Sequence, residues 1–144
     1  MAAGQTIFAG DVAAGTRIPE VVYRPTHVQL FRFSAVTWNA HRIHYDQAYA
    51  AQEGYPDVLV QSHLHGCFLV RTLLDWAGPL ARLTAFRWQN RRYAVPGDEL
   101  RCSGVVTAVD GPVIHCELSE VNQRGELCAP AWATLRLPSR EERR

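Results

Sequence analysis

Lysine is absent from this chain of 144 residues, and its 15 basic residues are all arginine. That excludes chemistry built on a lysine Schiff base, and the bias itself reads as the imprint of a GC-rich genome. An excess of charge is also missing: 14 acidic residues leave a formal net charge of +1, so no broad positive field is available to hold a nucleic acid. Long hydrophobic runs are lacking, since no apolar stretch approaches the roughly 20 residues that cross a bilayer. Met1-Ala2-Ala3-Gly4 opens the chain without the basic region and long apolar region of a secretory signal, so the cytoplasm is the expected location. Cysteine is sparse. Cys67, Cys102, Cys116 and Cys128 form no C-x-x-C pair, and they are expected to be reduced and mostly buried small hydrophobes.

What is present is the composition of a globular protein, with 47% hydrophobic and 20% charged residues, at a length suited to one domain over residues 1–144. Residues 1–25 read as an irregular lead-in with one strand around Thr16 to Tyr23. Thr26, after Pro25, predicts the cap of a helix over His27 to Val36, although the aromatic and β-branched residues there would also suit a strand. Asp46 predicts a second cap, for a short helix ending near Glu53 and Gly54. The strongest helical signal runs from Ser62 to Trp76, where Leu64, Cys67, Phe68, Val70, Leu73 and Leu74 form a wide apolar stripe and Ala77-Gly78-Pro79 is a stop. Beyond it the pattern turns strand-like over Leu83 to Tyr93, Glu99 to Val109, Val113 to Asn122 and Leu127 to Leu137, and these four are expected to form an antiparallel meander. The tail from Ser139 to Arg144 is charged and expected to fray. A central apolar helix followed by an antiparallel sheet predicts an α+β, hot-dog arrangement in which the sheet wraps the helix and an open edge is free to pair with another protomer.

Chemistry concentrates in the run Phe33-Ser34-Ala35-Val36-Thr37-Trp38-Asn39-Ala40-His41-Arg42-Ile43-His44-Tyr45-Asp46, where two imidazoles, a carboxamide and a carboxylate lie among large apolar residues. His44 has the side chain best suited to taking and giving a proton near neutrality, and its alternative is a hydrogen-bonded structural histidine. Asn39 does not titrate; it can orient a water through its carbonyl oxygen and amide, or simply bend the chain by bonding nearby backbone. His41 reads as a loop residue and Asp46 as a helix cap. The pairs His63/His65 and His41/His44 raise the question of a metal, but helical positions two apart face away from each other and no nearby Cys or Glu completes a site, so none is expected. Arg82, Arg87, Arg91 and Arg92 could meet a phosphate, with a solvated strand face as the plainer reading.

On those residues the chain resembles the MaoC-like hydratase/dehydratase family, whose signature is approximately F-[ST]-x-x-[ST]-G-D-x-N-P-x-H-x-D. Phe33, Ser34, Thr37, His44 and Asp46 match it; Asn39 stands at the acidic position, Trp38 at the glycine and His41-Arg42 at the Asn-Pro pair. With Glu53-Gly54-Tyr55-Pro56 following, the run looks like the branch of hydroxyacyl-thioester dehydratases of the mitochondrial type and mesaconyl-CoA-type hydratases. The resemblance covers about Thr26 to Leu137 and is specific over 33–56. It implies a hot-dog hydro-lyase without cofactor, interconverting 2-enoyl and 3-hydroxyacyl thioesters of CoA or an acyl carrier protein. Under it, His44 is the acid/base, Asn39 its water-orienting partner, and the start of the central helix, at Gln61, Ser62 and His63, the oxyanion and substrate-binding end. His63 would line the pocket mouth, with Trp38 and Tyr55 as walls. This chain has Gln61-Ser62-His63 where the branch usually has His-Gly-Pro. Its Asp75-Trp76-Ala77-Gly78-Pro79 is similar to small MaoC-like subunits that pair with a second subunit in steroid side-chain hydratases. A homodimer or a heteromer with a second hot-dog subunit is therefore expected.

Two rival readings stand beside this one. A catalytically weak or silent hot-dog subunit would complete a partner's pocket or bind an acyl thioester, which the missing acid at position 39 and the altered helix entry favour. A hot-dog thioesterase would want a carboxylate on or beside the central helix, and Asp75 is at its wrong end.

Overall fold

The computed structural model describes residues 6–140, so the reading of the first residues and of the end of the tail lies outside the described part. After a short 3-10 turn at Ala9–Asp11 come β1 (Arg17–Tyr23), α1 (His27–Thr37), a 3-10 turn at Arg42–His44, α2 (Gln47–Gln52), α3 (Ser62–Ala77) and four strands, β2 (Arg82–Trp88), β3 (Leu100–Asp110), β4 (Val113–Val121) and β5 (Leu127–Arg136). Each helix begins where a side chain or a bend allows it. The Thr26 hydroxyl accepts from the Gln29 N–H at 3.1 Å, and the Asp46 carboxylate accepts from the Tyr49 N–H at 3.1 Å. The segment at 27–37 is thus helix rather than strand, with one first-turn donor satisfied by the residue type that suits this position. Among the described residues, no helix is long and apolar enough to cross a membrane.

The strands form an antiparallel sheet in the order β1-β3-β4-β5-β2. The expected meander holds for β3, β4 and β5 but not for β2, which crosses to pair with β5, from Arg82 opposite Arg136 to Trp88 opposite Ala131. The reason lies in residues 89–99. Rather than turning back as a hairpin, they stay bonded to β5 as far as Arg92 and then cross to the entry of α3. Val60 N–H donates to the Ala94 carbonyl at 2.9 Å, Arg91 N–H to the Cys128 carbonyl at 2.8 Å, and Asp98 closes a turn by accepting from the Val95 N–H at 3.0 Å. This excursion covers the chain just before α3, which a simple meander would leave open.

α3 packs on β1, β3, β4 and β5, and its buried face carries Leu64, His65, Phe68, Leu69, Thr72, Leu73 and Trp76. The facing strands supply alternate residues: Leu100, Cys102 and Val106 from β3, Ile114, Cys116 and Leu118 from β4, Ala131, Ala133 and Leu135 from β5. Such alternation is what one buried sheet face requires. Three of the four cysteines are buried here as expected, but Cys67 is on the exposed side of α3.

Two polar residues enter this core. Glu120 continues the inward series of β4 and is fully buried, as is His65 on α3; the carboxylate accepts from the His65 ring and, at 3.7 Å, from the Cys102 thiol. Burial, and after it the neighbouring Glu120 charge, push the Cys102 thiol far above its usual range, so it stays protonated and donates. The pair ties the second turn of α3 to β4 at a fixed height and rotation. Removing one partner of such a pair strands the other in a low-dielectric interior, which costs about 3–5 kcal/mol. Glu120→Ala is therefore expected to lower stability by about that amount in urea denaturation, with loss well under 1 kcal/mol as the contrary result.

Candidate active site

α1 leads into the chemistry-bearing run and ends in an unusual way. Trp38 caps it in the left-handed conformation, φ 55° and ψ 35°, and is the one non-glycine described residue with positive φ. The Asn39 N–H then bonds back to the Ser34 carbonyl at 2.9 Å. A left-handed residue after a helix is ordinarily glycine, because a Cβ there costs roughly 1–2 kcal/mol. This explains why the family signature has glycine where this chain has Trp38. The indole is 89% exposed, so little packing compensates.

Asn39 follows in a local turn: its Oδ1 accepts from the His41 N–H at 3.2 Å, leaving the side-chain NH₂ and one lone pair for anything else. Asn39 and Trp38 share a shallow apolar groove of about 190 Å³ with Phe31, Ala35 and Tyr45. His44 does not line it.

His44 is held from behind. Its Nδ1 lies 2.8 Å from the Leu59 carbonyl, which can only accept, so Nδ1 carries the proton and Nε2 presents a lone pair in the neutral ring. The Leu59 N–H in turn donates to the Ile43 carbonyl at 2.9 Å, so the segment around Ile43 and His44 is fastened to Leu59 from both sides. The ring is half-buried, and burial holds its pKa below the ordinary imidazole value of 6.5; the nearby His41 acts in the same direction, and the Leu59 hydrogen bond partly opposes both. His41 meets the His44 ring edge-on at 5.6 Å.

Three residues beyond Leu59, α3 begins. Three residues span at most about 11 Å, so the His44 anchor and the helix start are close. The first-turn N–H groups of a helix have no intrahelical acceptor, and those of Ser62 and His63 stand at the positive end of the helix dipole. The His63 side chain is exposed and meets Trp88 edge-on at 5.6 Å, while Ser62 is half-buried. Gln61 departs from its expected place in the substrate pocket. Its side chain is fully buried, with Nε2 donating to the Leu30 carbonyl at 2.7 Å and to Ser34 Oγ at 2.9 Å, while Oε1 has no partner among the described residues. A side chain inside that interior ties α1 to the start of α3 and is sealed from solution. It also accounts for the serine of the run, since Ser34 receives Gln61 through its hydroxyl and Asn39 through its carbonyl.

Tyr55 is half-buried and edge-on to Tyr93 at 5.1 Å, apart from the groove at Trp38. The arginines of 82–92 do not gather: Arg87 lies over the Trp132 ring at 4.3 Å, and Arg92 pairs with Glu126 at 3.4 Å. Asp75 is exposed near the far end of α3 and pairs with Arg71. The sequence did not single out Glu120, Gly66 or Trp88, and His65 stood out there only as half of a histidine pair weighed for a metal. The signals were there: Glu120 shares the period-2 face of Ile114, Cys116 and Leu118, and a glycine inside a helix needs a reason.

The profile of the family described as hydroxyacyl-thioester dehydratase type 2 matches residues 12–96, more than half of the chain. A mesaconyl-C(4)-CoA hydratase from Chloroflexus aurantiacus is 57% identical over 49 residues, 33% of this chain and 16% of that protein. A mitochondrial hydroxyacyl-thioester dehydratase type 2 from Schizosaccharomyces pombe is 39% identical over 56 residues, 38% of this chain and 17% of that protein. Each match thus spans about a sixth of the curated relative's length. Among solved structures, the R-hydratase PhaJ1 from Pseudomonas aeruginosa superposes with a TM-score of 0.87 at 20% identity, over 94% of this chain and 88% of that one. The ChsH1-ChsH2 complex from Mycobacterium tuberculosis gives 0.81 at 23% identity, over 87% of this chain and 98% of that one. These neighbours establish the hot-dog fold.

The cap at Trp38 yields a direct expectation. Trp38→Gly relieves the left-handed strain, partly offset by the greater freedom of glycine in the unfolded chain, for a net gain of about 0.5–1 kcal/mol. A higher urea midpoint at unchanged slope would show it; a lower midpoint would mean that the indole packs.

Proposed function

As the chain belongs to the hydroxyacyl-thioester dehydratase type 2 family, we propose that it interconverts 2-enoyl and 3-hydroxyacyl thioesters, carried on CoA or an acyl carrier protein, by adding and removing water. The observation that carries this reading is the state of His44. A neutral imidazole with its Nδ1 proton committed to a carbonyl and its Nε2 lone pair free is a base ready to act, and the carbonyl that holds it, that of Leu59, lies three residues before an uncapped helix start.

In the hydration direction, Nε2 of His44 takes a proton from water as its oxygen attacks C3. Electron density moves through C2 to the thioester oxygen, where the N–H groups of Ser62 and His63 meet the developing charge, a contribution of the kind worth about 3–4 kcal/mol. The proton on His44 then goes to C2. Dehydration is the reverse, with the same imidazole removing the C2 proton and protonating the departing hydroxyl. Asn39 holds the water through its side-chain NH₂ and remaining lone pair, with no proton of its own to give at neutral pH.

The engagement of Asn39 Oδ1 by the His41 N–H favours a second reading beside the first, in which this chain is one subunit of a heteromeric hot-dog enzyme and a partner supplies the missing acid. Turnover of crotonyl-CoA by the purified chain alone would exclude it, and activity only with an added second subunit would establish it. The carboxylate nearest a thioesterase role, Asp75, is exposed and salt-bridged away from the helix start.

Two outcomes test the main reading. His44→Ala is expected to fold yet lose at least 10²-fold in hydration rate, the usual range for a general acid/base; an unaltered rate would sink the assignment. Because the base must be neutral and burial lowers its pKa, kcat/KM for hydration should be flat near pH 7–8 and fall only on the acid side of about 6.5, as His44 protonates. An acid limb already descending above pH 7 would contradict the environment of His44.

A further inference from the structure

Gly66 stands in the second turn of α3, where glycine costs about 1 kcal/mol relative to alanine. Its use is visible across the sheet edge. A Cβ at this position would lie 3.0 Å from Trp88 Cε2 and 3.2 Å from two more atoms of the same ring, so any other residue would push the indole back from its seat against the helix backbone by a few tenths of an ångström. Phe86 stacks on Trp88 at 5.5 Å and 23°, and the His63 ring meets it edge-on. In this seat the Trp88 Nε1–H donates to the Ser62 carbonyl at 3.2 Å.

The Ser62 carbonyl and the His63 N–H are two ends of one planar peptide group. A helical carbonyl already serves the N–H four residues on, and the indole takes its second lone pair. A second donor on that oxygen restrains the tilt of the peptide plane and polarises the N–H at its other end, as hydrogen bonds in series do. We propose that Trp88 is a positioning residue of the oxyanion end: it aims and strengthens the His63 N–H toward the thioester oxygen, with Gly66 as the recess that admits it. This rests on the thioester reading above and adds to it a residue on β2 that touches no substrate.

Trp88→Phe keeps an aromatic ring to stack on Phe86, though a smaller one, while removing the donor. The informative probe is 2,4-hexadienoyl-CoA, a conjugated thioester whose absorption band moves to the red when its carbonyl is polarised. On binding the wild-type chain the band is expected to shift, and in Trp88→Phe to shift less. kcat for crotonyl-CoA hydration should fall roughly three- to tenfold, the worth of one neutral hydrogen bond, with KM changed less than twofold and the thermal midpoint retained. Gly66→Ala, which displaces the indole without deleting its N–H, should give the same spectral loss, and it decides the matter if Trp88→Phe does not fold. A merely structural role would move the midpoint and leave the band alone. An unchanged band in both folded variants, or no shift in the wild-type chain, overturns the proposal. The spectrum is read on bound thioester without turnover, so an inactive chain that still shifts the band would count against the hydratase reading and not against Trp88.

Discussion

The candidate site depends on one constraint: a helix must have its inner face buried from Leu64 onward while the N–H groups of Ser62 and His63 are left unspent. Burial of α3 is driven by its apolar face. Apolar contacts alone are non-directional and do not set the height or rotation of the helix. Polar ties do that. His65 and Glu120 fix the second turn against β4, Gln61 binds the entry to α1, and the Trp88 indole engages the first carbonyl. Each engages groups other than the Ser62 and His63 amides, so the helix start is held without being capped.

The same economy appears in the loop that brings His44. Leu59 is a plain aliphatic residue, yet its backbone donates to Ile43 and accepts from His44. One peptide segment therefore anchors the His44 ring and, within a few residues, becomes the start of α3. Ser34 does the equivalent for Asn39, receiving Gln61 on its hydroxyl and Asn39 on its carbonyl. The two halves of the site are thus referenced to the short stretch from Leu59 to Ser62. Trp38 breaks the local rule, taking a left-handed turn that its side chain disfavours, next to the position where the family carries an acid and this chain carries Asn39. The departures from the signature are therefore adjacent in the chain.

Much of this was legible in the residues themselves. The caps at Thr26 and Asp46, the apolar stripe of α3 and the Gly-containing turns at 97, 111 and 125 are local signals, and the helices and strands begin and end within a few residues of where those signals put them. The signature run pointed to His44 and Asn39 before any contact was known. What was not legible was partnership. The expectation of a meander assumed that consecutive strands pair, and it failed at β2, because residues 89–99 satisfy their backbone groups against the sheet end and the entry to α3. Gln61 looked like a pocket residue because it precedes the helix start; only packing showed that it turns inward.

By itself the sequence determined the α+β character, the positions of its elements, the family and the candidate base. The elements are encoded by periodicity and capping within a few residues, where the chain's own geometry decides which groups meet, and the family is carried by the likeness of the run from Phe33 to Asp46 to its signature. Tertiary structure alone decided that β2 lies beside β5, that Glu120 meets His65 across 55 positions, and that Trp88 reaches Ser62 across 26. Such pairings are chosen by which global arrangement covers α3 and leaves the fewest buried donors unmet, and no window of neighbouring residues contains that comparison.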